Sequence, residues 1–187
     1  SSDSQIDAAE FNSRRLRTHN AGHGPLAAPE VVRATMLVLR NSLASGRTGV
    51  RPILAQTLAD AINQNRPVAM HVWGSMGQSD MSSMSDLSLA LFGDAELAAG
   101  EALALLNSSA MSTAMAALAL ADLDFLLHFS TFVSALSMEG YAANPSIVSP
   151  EALESRPLEG LRVHGQAIRR YIDGSYILTK GGPRNLQ

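Results

Sequence analysis

Ala102-Leu103-Ala104-Leu105-Leu106-Asn107-Ser108-Ser109-Ala110-Met111-Ser112-Thr113-Ala114-Met115-Ala116-Ala117-Leu118-Ala119-Leu120-Ala121 decides the fold: twenty residues between Glu101 and Asp122 carry no charge. The length matches a bilayer span of about 20 residues. The content does not, because Asn107, Ser108, Ser109, Ser112 and Thr113 interrupt it and much of the rest is Ala and Met. Transfer into lipid is poorer for such a segment than for a Leu, Ile and Phe span. The stretch reads as a helix buried in protein. From Glu96 to Tyr141 only Gly100 and Gly140 stand against a continuous helix, and Ala is the strongest intrinsic helix former. The spacing predicts one rod of roughly 40 residues, on the order of 60 Å long. Apolar residues surround it over 102–121, which leaves it no solvent face there. A chain of 187 residues cannot wrap such a rod alone, so neighbouring chains or further segments must cover it, with Ala114, Ala117 and Ala121 allowing close approach.

Outward from the rod, the pattern is helix after helix. Pro29 with Glu30 is a start signal, and Val31, Val32, Met36, Leu39 and Leu43 continue at helical spacing to Gly46. Pro52 opens a second helix through Ile53, Leu54, Leu58 and Ile62, ended by Asn65 and Pro67. Residues 66–86 read as loop, with two glycines, five serines and methionines that obey no period. A helix through Leu87, Leu89 and Leu91 closes at Gly93. Residues 145–157 read as loop and 161–172 as a modest helix before a Gly-Gly-Pro tail. The fold class is all-α, a long-helix bundle completed by oligomerisation.

Composition narrows the function. Apolar residues make up 46% and charged residues 17%, which excludes a mainly disordered chain. The net charge is −3 and the 14 basic residues are scattered apart from Arg14, Arg15 and Arg17, so no phosphate-tracking surface is expected and nucleic acid is not a partner. Without cysteine there is no disulfide, thiolate metal site or Cys nucleophile. The five histidines complete no metal-binding motif such as His-Glu-x-x-His, so no metal is expected. Ser1 to Gln5 is polar with no apolar run behind it, which sets the expectation of a cytoplasmic chain without a membrane span.

The chemistry sits in an irregular stretch. Trp73-Gly74-Ser75-Met76-Gly77-Gln78-Ser79-Asp80-Met81-Ser82-Ser83-Met84-Ser85-Asp86-Leu87 resembles the signature loop of the histidine and aromatic amino acid ammonia-lyase family, G-S-V-G-A-S-G-D-L-A-P-L-A-H-L. Three further segments agree in order. Thr18-His19-Asn20-Ala21-Gly22-His23-Gly24 resembles S-H-A-A-G-x-G; Asn41 to Arg51 resembles N-x-L-x-x-G-x-S-G-V-R; and Glu101 to Ser108 resembles E-G-L-A-L-I-N-G. The resemblance covers nearly the whole chain, taken as 1–187, the central helical portion of such a lyase. On this reading the flanks holding a catalytic Tyr loop and a carboxylate-binding Arg lie outside the chain, and about 20 or more residues are missing after Gly93.

The resemblance implies a tetrameric lyase acting on an amino acid, histidine or aromatic, or a related amine, at a site shared between chains. It implies catalytic roles for Ser79, Asn107 and Gln187, substrate binding by His19 and Thr18, and a site loop of Gly74, Ser75, Gly77, Gln78 and Asp80. In the family an Ala-Ser-Gly triad cyclises to a methylideneimidazolone electrophile. Here only Gln78 and Ser79 stand between Gly77 and Asp80. Matching Asp80 to the family's Asp keeps the downstream leucines in register and deletes the triad Gly. The ungapped match makes the triad Gln78-Ser79-Asp80 and puts a side chain where Gly suits the turn. On either match the cofactor is not expected to form. Two readings follow: a lyase subunit working as a homo-oligomer or with a complementary chain, or a catalytically silent structural or binding member that has lost the electrophile. His23, His71, His128 and His164 read as structural, and Met76, Met81 and Met84 as packing.

Overall fold

The computed structural model describes residues 7–179. Its order is α1 (Ala8–Thr18), β1 (His23–Leu26), α2 (Pro29–Ala44), α3 (Pro52–Asn63), β2 (His71–Trp73), α4 (Met81–Phe92), α5 (Glu101–Leu106), α6 (Ala110–Gly140), α7 (Pro150–Glu154) and α8 (Glu159–Tyr171). Single 3₁₀ turns lie at Pro145–Val148 and Tyr176–Leu178. The all-α class holds, with one two-stranded antiparallel ribbon that the sequence pattern did not announce. His23 pairs with Trp73 and Leu26 with His71, with an irregularity between them.

The chain divides into two compact units, residues 1–119 and 120–187. In the first, α2 and α3 pack on each other, and α1 packs on α4 and α5. Leu16, Leu39, Leu58, Met70, Met84, Leu87, Leu105 and Leu106 form its buried centre. α2 and α3 start as expected, each with proline in the first turn, where its missing N–H costs nothing. The second unit closes a smaller core of Ala135, Met138, Ala143, Val148, Ile172 and Ile177.

The structure corrects the predicted elements in four places. The rod is not continuous: α5 ends at Leu106, and α6 starts at Ala110. The cause is local. Ser108 O accepts the Asp80 amide (2.9 Å), Ser108 Oγ accepts Ala110 N (3.2 Å), and Asp80 Oδ2 accepts Ser112 N (2.8 Å), so the amides at the start of α6 find side-chain partners instead of a preceding turn. Within 66–86, β2 is a strand, and α4 begins at Met81, six residues before Leu87. Met84, Leu87 and Leu91 are buried from its inner side, whereas Met76 is fully exposed and packs nothing. α1 forms where no helix was expected; its buried Asn12 donates to Leu97 O and Ala98 O, both 2.8 Å. The presumed loop of 145–157 contains α7.

Within this chain the rod is covered only in part. Ala110, Met111 and Ala114 are covered, but Leu120, Phe125, Leu126, Phe129 and Leu136 are exposed, at 54–71% of their accessible area. Residues 101–140 are long and apolar enough to cross a membrane by length and composition.

Candidate functional site

Three of the four motif segments meet in the first unit. Gly74 has φ +129, and a Cβ there would lie 2.9 Å from Ala21 O and 2.9 Å from Ser82 Oγ, so the 18–24 segment lies directly against the start of the site loop. At the other end of that loop Ser79 Oγ donates to Asn107 Oδ1 at 3.4 Å, and Ser75 Oγ accepts Ser82 N at 3.4 Å. Asn107 is the C-cap residue of α5 and is exposed in this chain.

Asp80 is the fixed point of the loop. It occupies the N-cap position of α4, its carbonyl accepts Met84 N (2.8 Å), and its carboxylate takes both the amide and the hydroxyl of Ser112. Gln78 and Gly77 lie exposed before it, Gly77 at φ +89.

His19 and Thr18 are less engaged. The His19 ring turns back on α1, its Nδ1–H donating to Arg15 O at 2.9 Å, and Thr18 Oγ1 donates to Arg14 O at 2.8 Å. Thr18 lines a shallow groove of about 500 Å³ with Glu10, Ser13, Arg14 and Arg17. Gln187 lies outside the described residues. Among the described residues no group of three or more His, Asp or Glu is placed to hold a metal.

The second and fourth motifs also meet. Arg51, which ends one, forks onto Glu101, which opens the other: Nε to Oε1 is 2.9 Å and Nη2 to Oε2 is 2.7 Å. The amides of Arg51 and Ala98 add 2.9 and 2.7 Å bonds to the same carboxylate. Glu101 is 1% exposed, and the Arg51 hydrogen bonds hold its carboxyl down at about 2 against the ordinary 4.5.

The histidines have partners that sequence spacing hid. His71 donates its amide (2.8 Å) and Nδ1–H (2.9 Å) to Asp86 Oδ2, while Asn20 Nδ2 donates to Asp86 Oδ1 at 2.6 Å. The signal was present in the signature loop, because Asp86 stands where the matched pattern has His.

Comparison with known proteins agrees with this arrangement. The sequence model of the family described as aromatic amino acid lyase matches residues 1–98 and again 94–187. The two matches meet just after Gly93, where residues were expected to be missing. Histidine ammonia-lyase of Streptomyces griseus is 34% identical over 192 residues, covering 89% of this chain and 37% of that protein. The Streptomyces avermitilis enzyme is 35% identical, with 93% and 39% covered. The chain therefore spans under two fifths of the length of these relatives. Among solved structures, tyrosine aminomutase from Streptomyces globisporus superposes with a TM-score of 0.83 at 26% identity, covering 92% of this chain and 37% of that one. Ergothionase from Treponema denticola, at 23% identity and a TM-score of 0.85, shares the fold over 99% of this chain and 42% of its own. With its motif segments gathered around one loop and both halves matched by the family's sequence pattern, the chain belongs to the aromatic amino acid lyase family.

Proposed function

We propose that this chain is an electrophile-free member of the family: it keeps the helical core and the framework of the site and does not eliminate ammonia. The observation that carries the reading is the engagement of Asp80. A methylideneimidazolone from Gln78-Ser79-Asp80 requires the Asp80 nitrogen to attack the Gln78 carbonyl carbon. That nitrogen instead donates to Ser108 O, and its residue begins α4 and holds Ser112. Closing the ring would give up those bonds, and the ring would carry the Asp80 side chain at the nitrogen that bends to close it, a turn suited to Gly. The residues at 77–80 do not fit the group.

The contact of Ser79 with Asn107 supports the other reading, a carbon-nitrogen lyase acting on histidine or an aromatic amino acid, since two of its catalytic positions are adjacent. An assay of the full chain for ammonia and the α,β-unsaturated acid from L-histidine, L-phenylalanine and L-tyrosine tests the choice. No product above the buffer rate is expected. Turnover abolished by Ser79→Ala would establish the lyase.

The proposal includes self-assembly, as a homotetramer or with a complementary chain, because α6 exposes Leu120 on one side and Phe125 with Leu136 on nearly the opposite one. Asp122, Asp124 and Glu139 along the same helix favour a protein partner over lipid. A cytoplasmic setting belongs to the same proposal and accords with a cysteine-free chain.

A further inference from the structure

Several departures from the family pattern bond together. Asn20 stands where the matched motif has Ala and, on the match that deletes the triad Gly, Asp86 stands where it has His, and these two residues are hydrogen-bonded at 2.6 Å. Asp86 in turn holds His71 by its amide and by Nδ1–H, and Ser83, at the motif's Pro, donates to His71 O at 2.7 Å. The Asp86 side chain is 8% exposed and that of His71 35%. A half-open imidazole is thus oriented by a buried carboxylate, which is the arrangement that fixes a histidine's tautomer.

With Nδ1–H given to Asp86, the neutral ring leaves Nε2 as an acceptor. Nε2 has no hydrogen-bond partner among the described residues and is not sealed from solvent. Two residues along the strand, Trp73 lies on the same face of the ribbon, because side chains alternate along β2. Its ring is braced from one side: a Cβ on Gly24, at φ +79, would lie 2.3 Å from Trp73 Cε3. The His23 ring meets it edge-on at 6.1 Å, yet Trp73 remains 56% exposed. An acceptor nitrogen on the same ribbon face as an open indole suits a cation that carries an N–H, since the ring face attracts the charge and the imidazole takes the hydrogen bond.

We propose that His71, oriented by Asp86 and Asn20, and the Trp73 ring form a binding site for a small organic cation bearing an N–H, such as an alkylammonium or guanidinium compound. The inference deepens the electrophile-free reading by naming the ligand class of the site that remains. The site needs no carboxylate on the ligand, and no bond is made or broken in it.

Two measurements on the full chain test it. In ¹⁵N NMR, at a pH where the ring is neutral, His71 is expected as the Nδ1–H tautomer, and Asp86→Asn should shift it toward the Nε2–H form. Titration with benzylammonium should move the Trp73 indole and His71 resonances. Benzyltrimethylammonium, which keeps the charge and lacks the N–H, should bind about tenfold more weakly. His71→Phe should weaken benzylammonium about tenfold and abolish that preference, and Trp73→Leu should weaken both cations several-fold. A His71 found as the Nε2–H tautomer, or equal binding of the two cations by the unaltered chain, overturns the proposal. If Asp86→Asn does not fold, the unaltered chain, His71→Phe and Trp73→Leu still decide it. A protein lighter by two waters would sink the electrophile-free reading whatever the cations do. An unmodified protein indifferent to benzylammonium would sink only this site.

Discussion

Asp80 ends one loop and begins two helices. It sits at the N-cap of α4 and lends its carboxylate to the first turn of α6 through Ser112, where the α5–α6 break leaves amides without a helical partner. Asp80→Ala removes the carboxylate that accepts the amide and hydroxyl of Ser112 and leaves the backbone start of α4 intact, and a lost cap costs ~1 kcal/mol, so a destabilisation of that size is expected in urea unfolding. Asp80→Asn should recover roughly half of it. Glu101 gives the second residue-scale prediction. Its folded pKa of about 2 lies below the ordinary 4.5, so its contribution is complete above pH 4.5 and is lost as pH falls toward 2. Denaturation midpoints should fall over that window, and Glu101→Gln should flatten the fall. At pH 7 Glu101→Ala leaves the amides of Arg51 and Ala98 without their acceptor, at a cost of about 2 kcal/mol, while the half-exposed Arg51 side chain is met by water.

At the scale of elements, what the sequence disclosed and what it hid divide by how polar groups are satisfied. α2 and α3 were legible because proline marks their starts and leucines keep the period. The start of α4 was hidden because Ser82, Ser83 and Ser85 are buried; Ser85 donates to Leu16 O at 2.6 Å and Ser83 to His71 O. A serine whose hydroxyl finds a carbonyl is a core residue, and hydrophobic periodicity cannot register it. α1 was hidden for the same reason, through Asn12. The break after Leu106 escaped because its cause, Asp80, lies outside the segment. Of the candidate site, the loop from Gly74 to Asp80 and its neighbour Asn107 were legible from motifs, whereas the Asp86 and His71 pair was not, since fifteen residues separate the partners. One prediction belongs here. Gly24→Val places a branched side chain at φ +79 against the Trp73 ring, so the ribbon should lose its pairing, read as loss of amide protection in β1 and β2.

Across the whole molecule the decisive feature is the mismatch between α6 and its own chain. A 31-residue helix with Leu120, Leu123, Phe125, Leu126, Phe129, Phe132 and Leu136 exposed presents more apolar surface than a monomer keeps in water. Sedimentation should show a multi-chain species with a strongly helical circular dichroism spectrum. Phe125→Glu with Leu136→Glu should shift it to smaller species while most helicity persists, and a monodisperse monomer of the unaltered chain would contradict the assembly. The central claim, that the family's fold persists here without its electrophile, rests on the 77–80 connection. The most direct test is the intact mass of the purified chain, followed by the mass of the peptide that holds Gln78, Ser79 and Asp80. Both masses are expected at the values calculated from the sequence; a deficit of two waters localised to that peptide would show that the electrophile forms.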